Sequence, residues 1–232
     1  AASGVAGNCV SATFQVLISV NPSPIIANGA ITSCSNTLFN YTPSNNPPIS
    51  IVPNGTTYSW QVPQMNGGIT GGVSNNAQNN INGTLVNPTS TSQTAVYSIT
   101  PSYQGCTGAP FSVTVTINPI PVISNVSIPI CSGVAFNVSP ANNPPSQIVP
   151  SGTLYSWTQP IVTGNITGGS AQNNQAAISQ TLNNPTNLPQ TATYTVTPTS
   201  GAAGSCAGTP FTVIITVNPT PLLPTQTVSA CS

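Results

Sequence analysis

The sequence predicts an all-β fold of tandem β-sandwich repeats, and three observations carry that prediction. A turn with a cysteine, a β-branched strand and a proline stop recur along the chain. The clearest copies run from Gly105-Cys106-Thr107-Gly108 through Phe111–Ile117 to Asn118-Pro119, and from Ser205-Cys206-Ala207-Gly208 through Phe211–Val217 to Asn218-Pro219. A weaker copy opens the chain, from Asn8-Cys9 through Phe14–Val20 to Asn21-Pro22. Landmarks then repeat at a fixed distance: Trp60 to Trp157 and Cys34 to Cys131 are shifts of 97, Cys106 to Cys206 and Cys131 to Cys231 shifts of 100. That period is too long for a solenoid coil and right for one immunoglobulin-sized sandwich. Finally, no window combines helical periodicity with a cap and a run of helix formers.

Strands fall in order within each repeat. Residues 122–130 read as extended, and Cys131-Ser132-Gly133 turns into Val134–Val138. A long Pro/Asn loop, Ser139–Thr153, precedes the short strand Leu154-Tyr155-Ser156-Trp157. Turns at Gly164, Gly168 and Gly169 lead to Ala177–Leu182. Thr191–Pro198 alternates with period two, and the loop at Cys206 joins it to Phe211–Val217 as a hairpin. The expected organisation is the end of a preceding repeat over 1–20, complete repeats over 21–117 and 118–217, and the start of a following repeat over 218–232. The chain is thus expected to be a window on a longer exported array.

Composition decides which chemistry is available. The 232 residues include no Lys, Arg, Asp, Glu or His, where an ordinary domain has about 25% charged residues. General acid–base catalysis needs such groups, and Ser, Thr or Cys nucleophiles need a base or cation to activate them, so no enzyme is expected. Calcium and magnesium sites need carboxylates, and the closest cysteines are 25 residues apart rather than in a Cys-x-x-Cys pair; no metal or cofactor is expected. Nucleic acid as a partner needs phosphate neutralisation, which is likewise missing. No apolar run approaches the ~20 residues of a membrane span. A surface without charge lacks the repulsion that keeps monomers apart, so self-association as a homo-oligomer is the expected partnership.

Six cysteines are the chemically specific feature. In an exported β protein an even number reads as disulfides. Cys9 and Cys34, Cys106 and Cys131, and Cys206 and Cys231 are each 25 residues apart, symmetric about Asn21-Pro22, Asn118-Pro119 and Asn218-Pro219. A chain reversal at each Asn-Pro would favour the bonds Cys9–Cys34, Cys106–Cys131 and Cys206–Cys231, each worth about 3 kcal/mol by loop closure. Two alternatives stay open. If the constant 25 is only a fixed linker length, pairing within a repeat gives Cys34–Cys106 and Cys131–Cys206, although an immunoglobulin-like strand order sets those positions at opposite ends of the sandwich. The other alternative staples neighbouring repeats, for example Cys34–Cys206.

Trp60 and Trp157 read as the buried tryptophan of a sandwich's third strand, with a sugar-stacking platform as the functional alternative. Phe111, Phe211, Tyr97 and Tyr194 read as core with them, as do Phe39 and Phe136. Thr191, Thr193, Thr195 and Thr197 read as a solvated sheet face, the alternative being an ice-binding threonine array. Pro47-Pro48 and Pro144-Pro145 suggest polyproline-like arms able to contact a neighbouring subunit.

Taken together, Cys131-Ser132-Gly133 with Phe136, Tyr155-Ser156-Trp157, Ser179–Asn184, Thr191–Pro198 and Pro210-Phe211-Thr212-Val213 ending in Val217-Asn218-Pro219 resemble the PKD-like, Ig-like repeats of giant Bacteroidota surface proteins. The resemblance spans nearly the whole chain. It implies type IX secretion, an extracellular or cell-surface location, and a place in gliding adhesins or extracellular filaments such as predatory grappling hooks. The function expected is a structural repeat of a long fibre serving attachment and reach. Direct binding of a glycan or surface as an adhesin is the alternative, and ice binding a third. The missing charges argue against the calcium-bridged junctions of some β-repeat adhesins.

Overall fold

The computed structural model describes residues 13–202, 204–221 and 227–229. It holds two β-sandwich domains and, among the described residues, no helix. The first domain contains β1 (Gly29–Cys34), β2 (Leu38–Tyr41), β3 (Thr57–Trp60), β4 (Gln64–Met65), β5 (Asn75–Gln78), β6 (Ile81–Thr84), β7 (Gln93–Tyr103), β8 (Cys106–Thr107) and β9 (Phe111–Asn118). The second contains β10 (Val126–Cys131), β11 (Ala135–Val138), β12 (Leu154–Trp157), β13 (Ile161–Val162), β14 (Gln172–Gln175), β15 (Ile178–Thr181), β16 (Gln190–Thr199) and β17 (Phe211–Asn218).

The main sheet of the first domain runs β1-β9-β7-β3-β5, with β4 and β8 also paired to β7; the pair β2-β6 forms the facing layer. The second domain repeats this plan as β10-β17-β16-β12-β14, with β13 on β16 and β11-β15 opposite. The long strands form because their sequence alternates. In β7, Ala95, Tyr97 and Ile99 face inward; in β9, Phe111, Val113, Val115 and Ile117 do so; all are buried. Their outward neighbours, Val96 apart, are Thr and Ser, which suit a pleated surface without charge. The facing layer contributes Phe39, Ile81 and Leu85 to the same core.

The aromatic residues interlock across the layers. Tyr97 stands edge-on to Phe39 (centroids 5.6 Å apart) and to Trp60 (6.2 Å). Tyr194 does the same with Phe136 (5.5 Å) and Trp157 (6.3 Å). Tyr58 and Tyr155 stand edge-on to Phe111 and Phe211. Trp60 and Trp157 are only 3% and 4% exposed. Each indole N–H donates to a main-chain carbonyl, Val73 at 3.1 Å and Ser170 at 2.9 Å. Both indoles are core, and neither is open for a sugar to stack on.

Each domain's first strand lies parallel to its last. In the first, Gly29 pairs with Val113 and Cys34 with Asn118; in the second, Val126 pairs with Val213 and Cys131 with Asn218. This corrects the expected chain reversal at Asn118-Pro119. β7 pairs along one edge of β9 and β1 along the other, so the segment after Pro121 finds no free edge there. It goes on into the next sandwich and pairs with β17 instead.

Burial raises the pKa of Tyr97 and of Tyr194 to about 12, and that of Tyr58 and Tyr155 in the same direction. A tyrosine that holds its proton more tightly when folded keeps its full stabilising contribution below the unfolded value near 10. That contribution is lost as the pH rises through the folded value. With no side-chain carboxylate or histidine to titrate, the thermal midpoint should be flat from about pH 4 to 9 and fall above about pH 10. Calorimetry across that range checks this; a cooperative acid transition between pH 3 and 6 would contradict it.

Candidate functional site: the junction between the two sandwiches

The chemically specific residues meet where the domains join. The parallel pairing of β1 with β9 sets Cys34 level with Asn118, the first residue of the linker Asn118-Pro119-Ile120-Pro121. The loop between β16 and β17 of the second domain approaches the same linker, and its Cys206 is bonded to Cys34 with Cα atoms 5.7 Å apart. Cys206 is buried and Cys34 half-buried. The bond therefore staples neighbouring repeats, the alternative to the pairing that the 25-residue spacing favoured.

The favoured pairs fail because the chain continues in its direction across the linker. Cys106 and Cys131 are free cysteines. Cys9 and Cys231 lie outside the described residues, but the partners expected for them, Cys34 and Cys206, are bonded to each other. Pairing within a repeat fails for a different reason. β8 and Cys106 extend beyond the Phe111 end of β9, whereas Cys34 sits at its Asn118 end.

Around the bond the junction is built from amides, hydroxyls and prolines. Ser35 N–H donates to the Asn118 carbonyl at 2.8 Å, and Ser35 Oγ accepts from Asn87 N–H at 2.9 Å. The buried Asn87 amide donates to the carbonyls of Ile117 (2.9 Å) and Thr91 (2.8 Å), while its oxygen accepts from Thr89 N–H (2.9 Å). Ser92 Oγ donates to the Asn118 side-chain oxygen at 2.7 Å. One amide thus ties the end of β9 to the loop before β7, doing with neutral groups what a buried charge would do at greater desolvation cost. The second domain repeats the arrangement with Ser132, Asn184, Thr186 and Val217.

Sequence reasoning did not single out Asn87, Asn184, Ser35 or Ser132. The signal was present as two recurring pieces, Cys-Ser at 34–35 and 131–132 and Asn-Pro-Thr at 87–89 and 184–186, each at the 97-residue shift.

The proline loop of the second domain covers the end of the first. Asn142 donates its amide to Ser90 Oγ at 3.0 Å. Pro145, Ile148, Val122 and Ile120 share a cleft of about 370 Å³ with Val86 and Pro88. The contact is with the preceding domain of the same chain, where a neighbouring subunit was the expected partner, and the loop is not a polyproline arm. Polyproline helices have no internal hydrogen bonds, and this loop closes on itself: Asn143 and Gln147 exchange backbone bonds at 2.9 and 3.0 Å, and Val122 and Ile148 at 2.9 and 2.8 Å. The peptide bonds Pro47-Pro48 and Pro144-Pro145 are cis. Gly208 completes the fit. A Cβ there would collide with the Pro121 carbonyl oxygen, so only glycine lets the linker lie on the hairpin loop.

Asn87→Ala should cost about 1–3 kcal/mol, because the buried carbonyl of Ile117 and the part-buried carbonyl of Thr91 lose their donor. Urea unfolding of the oxidised protein checks this; a loss below about 0.5 kcal/mol would show that the amide is dispensable.

One family matches the chain twice, once over each sandwich. The PKD-like domain family matches residues 31–121 and again 128–221. Among curated proteins none matches the sequence. Solved structures with similarity include protocadherin gamma B2 extracellular cadherin domains 3–6 (10% identity, TM-score 0.30, 85% of this chain and 53% of that one). The chicken CNTN1 FN1–FN3 domains follow (9%, TM-score 0.32, 84% and 67%). A third is a Bacteroides ovatus protein, SGBP-B of a mixed-linkage glucan utilization locus, in complex with a mixed-linkage heptasaccharide (12%, TM-score 0.27, 85% and 48%). The chain spans about half the length of the first of these. With two matched stretches covering most of its length, this chain belongs to the PKD-like domain family and contains two such domains in tandem.

Proposed function

We propose that this chain is a tension-carrying segment of a long extracellular fibre, serving attachment and reach. The observation that carries the proposal is the Cys34–Cys206 bond, which joins two domains by a covalent route other than the linker. Disulfides persist in oxidising compartments, which supports an extracellular location. In the chain-entropy picture a loop of this length is worth about 5 kcal/mol. Its mechanical consequence is larger. Residues 35–205 lie inside the loop, so tension applied at the two ends passes from β1 through the disulfide into β17 and bypasses nearly all of both domains.

The wider setting is part of the same reading. The fibre is a Bacteroidota surface filament exported by the type IX route, and its copies associate through uncharged surfaces. Three features support this. The repeat motifs resemble those of such proteins, the chain has no charged side chain to repel a neighbour, and the exposed residues include Ile49, Val62, Val73, Ile161 and Leu188.

Two measurements test the proposal. In single-molecule stretching from the chain ends, the oxidised protein should give almost no extension from residues 35–205. After reduction, the same molecule should release on the order of 600 Å, at roughly 3.4 Å per residue over the 172-residue separation. Long extensions at low force in the oxidised protein would refute load bypass. Filament integrity should also be unchanged between very low and molar salt, since screening has no charge pairs to act on. Dissociation by salt alone would refute association through neutral surfaces.

A further inference from the structure

We propose that Cys106 and Cys131 are open halves of the same inter-domain disulfide, each completed by the PKD-like repeat that flanks this pair. The bonded junction defines the parts: a first-strand cysteine, a linker asparagine level with it in parallel register, and a hairpin-loop cysteine of the next domain. Cys131 has the first two. It pairs with Asn218 as Cys34 pairs with Asn118, and Ser132 N–H donates to the Asn218 carbonyl at 2.8 Å, the distance found for Ser35 and Asn118. Cys131 is free and exposed. Beside it, Pro185, Asn187, Pro219 and Pro221 line an open cleft of about 520 Å³ at the place where, one repeat earlier, Pro88 and Ile120 share a cleft with the proline loop of the next domain.

Cys106 has the complementary parts. Its thiol points at the carbonyl of Asn21, 3.8 Å away, and Asn21 precedes Pro22 as Asn118 precedes Pro119. Gly108 lies on the Pro24 carbonyl as Gly208 lies on that of Pro121. The first domain's own proline loop borders an open cleft of about 620 Å³ with Pro22, in the position of the loop that covers the real junction. Immediately before Asn21, the segment Phe14–Val20 repeats the alternation of β9, yet Phe14, Val16, Ile18 and Val20 are 71–86% exposed, whereas Phe111, Val113, Val115 and Ile117 are buried. The occupant that covers this segment is a repeat whose last strand it is. The first strand of that repeat would bring a cysteine level with Asn21.

Closing each bond removes two electrons and two protons from two thiols. The co-reactant is a disulfide, either a small-molecule disulfide or a disulfide-donating oxidoreductase of the export route. The Cys131 thiolate attacks it, forming a mixed disulfide and releasing one thiol. The incoming hairpin thiolate then attacks the Cys131 sulfur and releases the second thiol. The proposal rests on the Cys34–Cys206 geometry and does not depend on the fibre bearing load.

The test is the full chain with a second copy of residues 122–221 inserted after Pro221, refolded in oxidised and reduced glutathione. It is digested with chymotrypsin, because trypsin has no Lys or Arg to cut. The expected product is a peptide carrying Cys131 linked to one carrying Cys206, in a species that runs as a monomer without reductant. The thiol count should equal that of the parent despite two added cysteines. C131S at the first position should remove this linked peptide and leave the near-ultraviolet dichroism of the tryptophans unchanged. A free thiol on the first-position Cys131 peptide, which begins after Phe111 where the inserted copy's begins after Phe211, would overturn the proposal, as would a Cys106–Cys131 link or linkage only between separate chains. Peptide mapping of the native surface material gives an answer that does not depend on refolding the lengthened chain. Cys106 and Cys131 linked to cysteine peptides of adjoining repeats is expected there, and free thiols at both would overturn the assignment.

Discussion

In each sandwich the first strand lies parallel to the last, and the rest of the junction depends on that pairing. A parallel neighbour runs in step with its partner, so the cysteine that ends β1 and the asparagine that ends β9 arrive together at one end of the domain. The linker starts there, and the hairpin loop of the next domain packs on it through Gly208. An antiparallel first strand would carry its cysteine to the other end, and the Cys34–Cys206 bond could not form. The pairing also occupies the remaining edge of β9, so the chain continues in the same direction and does not fold back. Pro129 sits in β10, an outer strand of the second sheet, where a missing N–H is tolerated.

A chain with no charged residue must satisfy its polar groups by other means, and it does so with amides and hydroxyls. Among the described residues no buried side-chain nitrogen or oxygen lacks a hydrogen-bond partner. Asn87 and Asn184 carry much of this, each bridging two main-chain carbonyls at the end of its own domain where the last strand leaves. The absence of acidic and basic side chains and the presence of a covalent staple fit together. A junction held by ion pairs or bound calcium would loosen with salt, pH or chelators, whereas one held by sulfur, proline and amide contacts is indifferent to them.

Much of the fold was legible in the residues. The period-two alternation of Thr191–Pro198 and Phe211–Val217 marks strands that appear as β16 and β17, and Leu154–Trp157 is β12 to the residue. The Asn/Gln strand β14, Gln172-Asn173-Asn174-Gln175, was not legible, because it has no apolar face to betray a period. The short β13 pairs with β16 through two exposed residues and leaves no more of a pattern. At the candidate site the six cysteines stood out, but their pairing was misjudged. The 25-residue symmetry about Asn-Pro looks like a hairpin, and local spacing does not distinguish a reversal from a strand that carries on.

What the sequence determined by itself was the repeat, the all-β class, and the chemistry closed to a chain without acidic or basic side chains, because composition and periodicity are local properties. What only the tertiary structure decided was which sulfur meets which. Cys34 and Cys206 are 172 residues apart, and their meeting depends on parallel strand order, the direction of the chain across Asn118–Pro121 and the seat of one glycine on a carbonyl. None of these is written in the neighbourhood of either cysteine.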